Sequence, residues 1–429
     1  MARENKRVAQ NGINIYSYKN SALHSTHISL FVKAGSMYES AEENGITHFL
    51  EHAVYRNVNL EMGGELYSLL DRYGVEFGAS TYSEMIQFYA SGVKDSFKLA
   101  ADIIAKVLSP IRLPKSEIDA ECARIKAEIR ESDDRTSLAT FSSGIVHDGT
   151  SLSRTILGTL GSVSKISGRK LEKYRRRIFT PENVFIYVTG APTDEDLDYL
   201  LELIGEAELY AGEIHNNAAP VSKSFFKRER NLHIKNSDFT MLRFSFDMDM
   251  SRIAPCTDDV LYEMLLGGYS SRFFIEMSEK RGLFYDIAGS VEKYKNIGSF
   301  AFNFEVRGGS IYEAVELTLG ILSELKRREP TEDECIKTRF TDSAYLLYDD
   351  ARELNFNFAY DCHIMNAPYR SVEESIALYN AVTPRDVWGA AREIFRAENL
   401  TLAIKADKKR IDIQRLEGII EKFKNESFD

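Results

Sequence analysis

Hydrophobic and polar positions alternate along residues 25–34, with Ile28, Leu30 and Val32 on one side, and this period of two predicts a strand. Residues 241–248 alternate in the same way and bring Leu242, Phe244 and Phe246 together. Each is followed by helical segments, a hairpin-like β region (75–93 in the first case, 285–307 in the second) and two more helices. Ahead of the first hairpin the period changes to that of a helix. With Ile46 at zero and about 100° per residue, Phe49, Leu50, Ala53 and Val54 fall within about 80° of it. His48, Glu51, His52 and Tyr55 fall between about 140° and 240°, on the opposite face. Asn44 or Thr47 is the expected cap.

The pattern repeats. Arg177-Ile178-Phe179-Thr180-Pro181-Glu182-Asn183-Val184 recurs, about half the chain later, as Glu393-Ile394-Phe395-Arg396-Ala397-Glu398-Asn399-Leu400. A helical stretch leads into each copy, and a β-rich run follows, 185–188 and 401–404. The stretch 207–224, with His215-Asn216-Asn217-Ala218-Ala219-Pro220, reads as a linker. The fold class expected is therefore α+β. Two homologous α/β sandwich domains, 1–206 and 225–429, each hold a mostly antiparallel sheet covered by helices.

The polar face of the first helix carries the candidate chemistry. His48 and His52 are one turn apart on one side of it, which suits two imidazoles on one metal ion. Glu51 lies between them in projection, placed to handle protons. His-x-x-Glu-His reverses the commoner His-Glu-x-x-His order and points to metal-assisted hydrolysis. A catalytic zinc takes three protein ligands and keeps one open position. A carboxylate is the natural third. The helix over 115–132 has an apolar stripe of Ile118, Cys122, Ile125 and Ile129, with Glu121 and Glu128 within about 20° of each other on its flank. From the residues alone, those two acids serve either a cation or surface ion pairs. Glu117 and Glu131, further round, read as solvated.

With 429 residues, 44% hydrophobic and 11% aromatic, the chain is globular and large enough for two cores. A net charge of −11 argues against nucleic-acid and anionic-membrane partners. Cys122, Cys256, Cys335 and Cys362 are scattered, which fits reduced thiols in a cytoplasmic protein better than a disulfide framework or zinc ribbon. Neither a signal peptide nor an 18-residue apolar run is expected. Arg175-Arg176-Arg177 reads as a solvated helix end, and Gly267-Gly268-Tyr269-Ser270-Ser271, without a following Lys-Ser/Thr, as a loop.

His48-Phe49-Leu50-Glu51-His52, followed by Ala127-Glu128-Ile129, resembles the pitrilysin-type (M16) zinc metallopeptidases. The resemblance covers nearly the whole chain. Gly35-Ser36, Phe77-Gly78-Ala79-Ser80-Thr81, Leu157-Gly158-Thr159, Thr180-Pro181-Glu182-Asn183-Val184, Gly267-Gly268-Tyr269-Ser270-Ser271-Arg272 and Glu279-Lys280-Arg281-Gly282-Leu283-Phe284-Tyr285 all stand in family order. At this length the chain is most similar to the short-chain subfamily of mitochondrial processing peptidase subunits and bacterial peptidases. The resemblance implies one Zn2+ per chain on His48, His52 and Glu128, with Glu51 as general base and Glu121 orienting a ligand from behind. It also implies Tyr285 as a catalytic contact to the substrate carbonyl. An extended peptide would pair with the strand Phe77, Gly78, Ala79, Ser80 and Thr81. The implied activity is endopeptidase cleavage of unfolded or leader peptides in a chamber enclosed by a homodimer or by a heterodimer with a paralogous subunit.

Two positions depart from the family pattern. Gly78 stands where the family has Asn, and Ser278 stands where active members carry an Arg seven residues before the Tyr. The rival expectation is therefore a non-catalytic or partner-dependent subunit used as a scaffold or for peptide capture.

Overall fold

The alternating stretches become central strands. In the computed structural model, which describes residues 4–132 and 137–425, the first sheet has the order β1-β2-β6-β3-β5-β4. Its strands are β1 (Asn5–Val8), β2 (Asn14–Lys19), β3 (Ser25–Val32), β4 (Glu76–Thr81), β5 (Ile86–Val93) and β6 (Val184–Gly190). Only β2 and β6 run parallel; the other neighbours are antiparallel. The predicted hairpin is the β4–β5 pair, and β4 forms an outer edge of the sheet. Ile28, Leu30 and Val32 turn towards a helical layer that includes α1 (Ile46–Glu61) and α2 (Lys115–Glu131), and together they form one core.

The second sheet repeats that frame in the order β7-β11-β8-β10-β9. It comprises β7 (Leu232–Asn236), β8 (Met241–Asp249), β9 (Ile287–Lys293), β10 (Ile297–Glu305) and β11 (Leu400–Ala406). Again a single parallel pair, β7 with β11, sits beside antiparallel ones. Leu242, Phe244, Phe246 and Met248 enter the second core. The reverse face of this sheet meets α3 (Leu138–Val146), where Ser142 and Ser245 share a hydrogen bond of 3.0 Å. The helix between β8 and β9 is α4 (Thr257–Leu266).

The reverse face of the first sheet is also apolar. Phe31, Phe185 and Tyr187 would stand in water there, and α5 (Ala351–Phe358) covers them with Leu354 and Phe358. Asn355 on α5 donates to the carbonyls of His27 (3.3 Å) and Tyr187 (2.8 Å). The chain therefore forms two compact units with exchanged segments. One holds 4–132, 154–217 and 345–371; the other holds 137–153, 218–344 and 372–425. These are not the contiguous halves 1–206 and 225–429. The reason is the need to cover both faces of each sheet. Local periodicity does not say which sheet α3 or α5 covers. The 207–224 stretch is also held in place: His215 stacks on Tyr38 at 3.9 Å, and Asn183 accepts from the His215 amide at 2.9 Å.

Candidate metal centre

Helix α1 buries Ile46, Phe49, Leu50, Ala53 and Val54, as its period requires. Its start is set by neither expected cap. Gly45 is the cap residue, with φ of +90°. A Cβ there would lie 2.7 Å from the Leu157 carbonyl oxygen, so glycine is required on both counts. The capping group is the buried carboxylate of Glu39. Its Oε2 accepts from the Gly45 amide (2.8 Å) and the Asn44 side chain (3.1 Å), and its Oε1 from the Thr47 amide (2.9 Å). A carboxylate at a helix N-terminus satisfies open amides and complements the helix dipole. No residue within α1 could have revealed it.

Helices α1 and α2 meet as an antiparallel ladder of charged groups. His48 Nε2 lies 3.6 Å from Glu128 Oε1, and His52 Nε2 lies 3.7 Å from Glu128 Oε2. One turn on, His52 Nδ1 is 3.1 Å from Glu121 Oε2. A further turn on, Arg56 reaches Glu121 Oε1 through Nε (2.5 Å) and Glu117 through Nη1 (3.1 Å). Glu117 is thus ion-paired rather than simply solvated. Its partner was legible in principle, because Arg56 follows His52 at the next helical turn.

The donor set fits a zinc ion. His48, His52 and Glu128 offer ligand atoms that all lie within 4.8 Å of one another. The imidazole Nε2 atoms lie 3.6 and 3.7 Å from the Glu128 carboxylate, one from each oxygen, near the separation of about 3.3–3.5 Å between donors that share a zinc at about 2.0–2.2 Å. Burial, and secondarily the neighbouring His52, lowers the His48 pKa to about 3, so this imidazole is neutral and able to ligate. Its buried Nδ1 has no hydrogen-bond partner among the described residues. Glu121, 1% exposed, would be raised by its burial, but hydrogen bonds from Arg56 and His52, with Arg124 nearby, hold it below the ordinary carboxylate range.

Glu51 lies beside this set. Burial raises its pKa above the ordinary carboxylate value, against the Thr81 hydrogen bond and the His52 charge. The Thr81 hydroxyl donates to Glu51 Oε2 at 2.5 Å. Along β4, Phe77 is buried and stacks on Tyr55 at 4.7 Å, and Ala79 packs against the same core. Gly78 and Ser80 alternate to the reverse face. There Tyr89, paired with Gly78 across the strands, takes the space of a side chain at 78: a Cβ would lie 2.5 Å from its hydroxyl oxygen. The Tyr89 hydroxyl donates to Glu76, and Arg352 stacks over its ring at 4.3 Å.

Tyr285 belongs to the second unit and is 99% exposed. Near it in sequence, the Ser278 hydroxyl donates to the Phe284 carbonyl at 3.0 Å. Arg281 is committed to Glu276, donating to its backbone carbonyl at 2.6 Å and lying 3.2 Å from its carboxylate. Among the described residues no helix is long and apolar enough to cross a membrane. The four cysteines are free thiols.

Comparison with known proteins places the chain in a family. Residues 15–160 match the family model for insulinase-type peptidases (Peptidase family M16), and residues 165–340 match the M16 inactive domain. A Bacillus subtilis (strain 168) relative called an uncharacterized zinc protease, YmxG, is 25% identical over 92% of this chain and 96% of its own. A Helicobacter pylori protease structure superposes with a TM-score of 0.82 at 16% identity, over 95% of this chain and all of that one. A Pseudomonas fluorescens structure titled as a peptidase M16 inactive domain gives 0.81 at 15% identity, over 94% and 98%. The chain belongs to the M16 peptidase family.

Proposed function

We propose that the chain is a zinc-dependent endopeptidase, with His48, His52 and Glu128 as ligands of one Zn2+ and Glu51 as general base. The observation that carries this reading is the convergence of two imidazoles and a carboxylate at 3.6 and 3.7 Å, with the half-buried Glu51 beside them. Among the described residues, Glu128 and Glu51 form no ion pair with a lysine or arginine. A cation would join Glu128 and the half-buried Glu51 to the two imidazoles.

Zinc held there supplies Lewis acidity, bringing the pKa of water towards neutrality and polarising a peptide carbonyl. Glu51 takes the proton of the attacking water on its carboxylate and returns it to the leaving amine. Its raised pKa brings it nearer the working pH. Thr81 fixes the orientation of Glu51 by holding Oε2. The outer edge of β4 is the place where an extended peptide would pair, which favours unfolded peptides of limited length, leader peptides among them, over folded proteins. Tyr285, fully in solvent, would be a donor to the substrate carbonyl in a chamber enclosed by a dimer, and the location proposed is the cytoplasm.

Ser278 favours a second reading, a partner-dependent or non-catalytic subunit. Its hydroxyl is turned to the Phe284 carbonyl and supplies no cation, and loss of an oxyanion donor costs about 3 kcal/mol in other hydrolases. Cleavage of a quenched fluorescent peptide library by the zinc-loaded chain, beside Glu51→Gln, separates the two. Turnover that vanishes in the variant supports the peptidase. Bound zinc without turnover, restored by an Arg-bearing paralogue, supports the partner-dependent subunit.

A further inference from the structure

We propose that Arg56 is a positioning residue of this centre: by bridging Glu121 and Glu117 it fixes the Glu121 carboxylate and, through it, the orientation and tautomer of His52. The inference rests on the zinc reading above and adds to it a group two steps removed from the ion.

His52 can offer Nε2 to a metal only if the ring hydrogen sits on Nδ1. Glu121 Oε2, 3.1 Å from Nδ1, is the acceptor that holds it there. Glu121 is almost wholly buried, and a buried carboxylate keeps one orientation only when both oxygens are engaged. The second oxygen is engaged by Arg56 Nε at 2.5 Å. The same guanidinium extends Nη1 to Glu117 at 3.1 Å, so its plane is held at two points. His48, His52 and Arg56 stand on successive turns of α1, and Glu128, Glu121 and Glu117 answer them in reverse order along α2. The cation thus ends the ladder that the two ligands begin.

The alternative cation is weaker. Arg124 is 3.8 Å from the same Glu121 oxygen and 62% exposed. Without Arg56, Glu121 is free to turn towards Arg124 on its own helix, and His52 loses its fixed acceptor. Lysine at 56 would reach one carboxylate but not grip both, because it lacks the planar fork.

The test is zinc affinity of the full chain, stripped with a chelator and titrated against a chromophoric zinc competitor. Glu121→Gln should weaken zinc about 10–100-fold, the range for residues that hold a ligand. Arg56→Gln should weaken it about tenfold, Arg56→Lys by less, and Arg124→Gln by less than about twofold. The double variant Arg56→Gln/Glu121→Gln should match Glu121→Gln alone, because one residue acts through the other. Ring 15N spectra of the zinc-free chain should show His52 with its hydrogen on Nδ1, and a tautomer mixture in Arg56→Gln, a change that lost packing alone would not produce. Zinc affinity within twofold of wild type in Arg56→Gln, or multiplicative losses in the double variant, would overturn the role of Arg56 alone. A wild-type chain that binds no zinc would overturn the metal reading and this inference together.

Discussion

Helix α4 stands between β8 and β9 of the second sheet as α1 stands between β3 and β4 of the first, yet the two helices treat their acids in opposite ways. On α4, Asp258 is 2% exposed and lies 2.5 Å from Lys293 Nζ. Asp259 is 2.8 Å from the same nitrogen and accepts from Tyr379 at 3.1 Å, and Glu263 is 2.6 Å from Arg339. Each acid meets a cation within its own unit. On α1 and α2, Glu51 and Glu128 converge with two imidazoles, while Glu121 and Glu117, behind the proposed ligands, take arginine partners. The same frame thus supports one helix whose charges close on themselves and one whose charges stay open. The second kind is where a bound ion would add a partner, and it is the proposed seat of the chemistry.

The sharpest way to break the contrast is to remove one acid from each side. Glu51→Gln should lower kcat by about 10²–10⁴-fold with zinc still bound at one per chain. Asp259→Asn should leave kcat within about threefold and lower stability instead, because its partner Lys293 loses part of its compensation. Equal kinetic losses in the two variants, measured on one fluorescent peptide, would contradict the division.

A stability experiment should show the mirror image. Lys293→Met leaves the buried Asp258 beside the half-buried Asp259 without their cation, and about 2–4 kcal/mol should be lost in urea denaturation of the zinc-free chain. Glu128→Gln removes an acid that has no arginine or lysine partner among the described residues, so zinc-free stability should change by less than about 1 kcal/mol while zinc affinity falls at least about 100-fold. A strongly destabilised zinc-free Glu128→Gln would mean that the acid is structural after all.

A smaller effect is expected at Thr81. Its hydroxyl is committed to Glu51, so in the proposed mechanism it positions the base as well as belonging to the strand proposed to pair with peptide. Thr81→Val should cost about tenfold in kcat, roughly 1.4 kcal/mol, with zinc affinity unchanged. Unchanged kcat with a raised KM would return Thr81 to a role in peptide pairing alone.

The parts of this arrangement differ in how far the sequence reveals them. His48, Glu51 and His52 lie within one turn of one helix, so periodicity alone puts them on one face. Glu128 is on another helix, and spacing could raise it only as one of two acids on a flank; the family resemblance singled it out. Glu39 stood outside any pattern, since an acid in a loop carries no period and its value as a cap depends on how the chain turns back at Gly45. The strands and the doubled frame were legible because a period of two survives in Ser25–Val32 and Met241–Asp249. The exchange of α3 and α5 between units was not, because their cover of the reverse faces is a tertiary choice that leaves no local trace.

The smallest predicted effect sets the two edge strands against each other. Gly78 on β4 and Gly289 on β9 are each roofed by a tyrosine, but from opposite sides of their sheets. At Gly289 an added Cβ would lie 2.7 Å from the Tyr262 ring and 2.8 Å from Leu266, both on α4 and packed against the second core. At Gly78 the obstacle is the outer end of Tyr89, a part-exposed ring that can swing aside with Arg352. Gly289→Ala should therefore cost about 1–3 kcal/mol as overpacking, and Gly78→Ala less than about 1. Gly78→Asn restores the family residue but gives its amide the volume that Tyr89 already fills, so kcat/KM should change by less than about threefold. Gly78→Asn combined with Tyr89→Ala frees that space. A gain in kcat/KM only in the pair would show that Tyr89, and not the missing amide alone, sets the character of this edge.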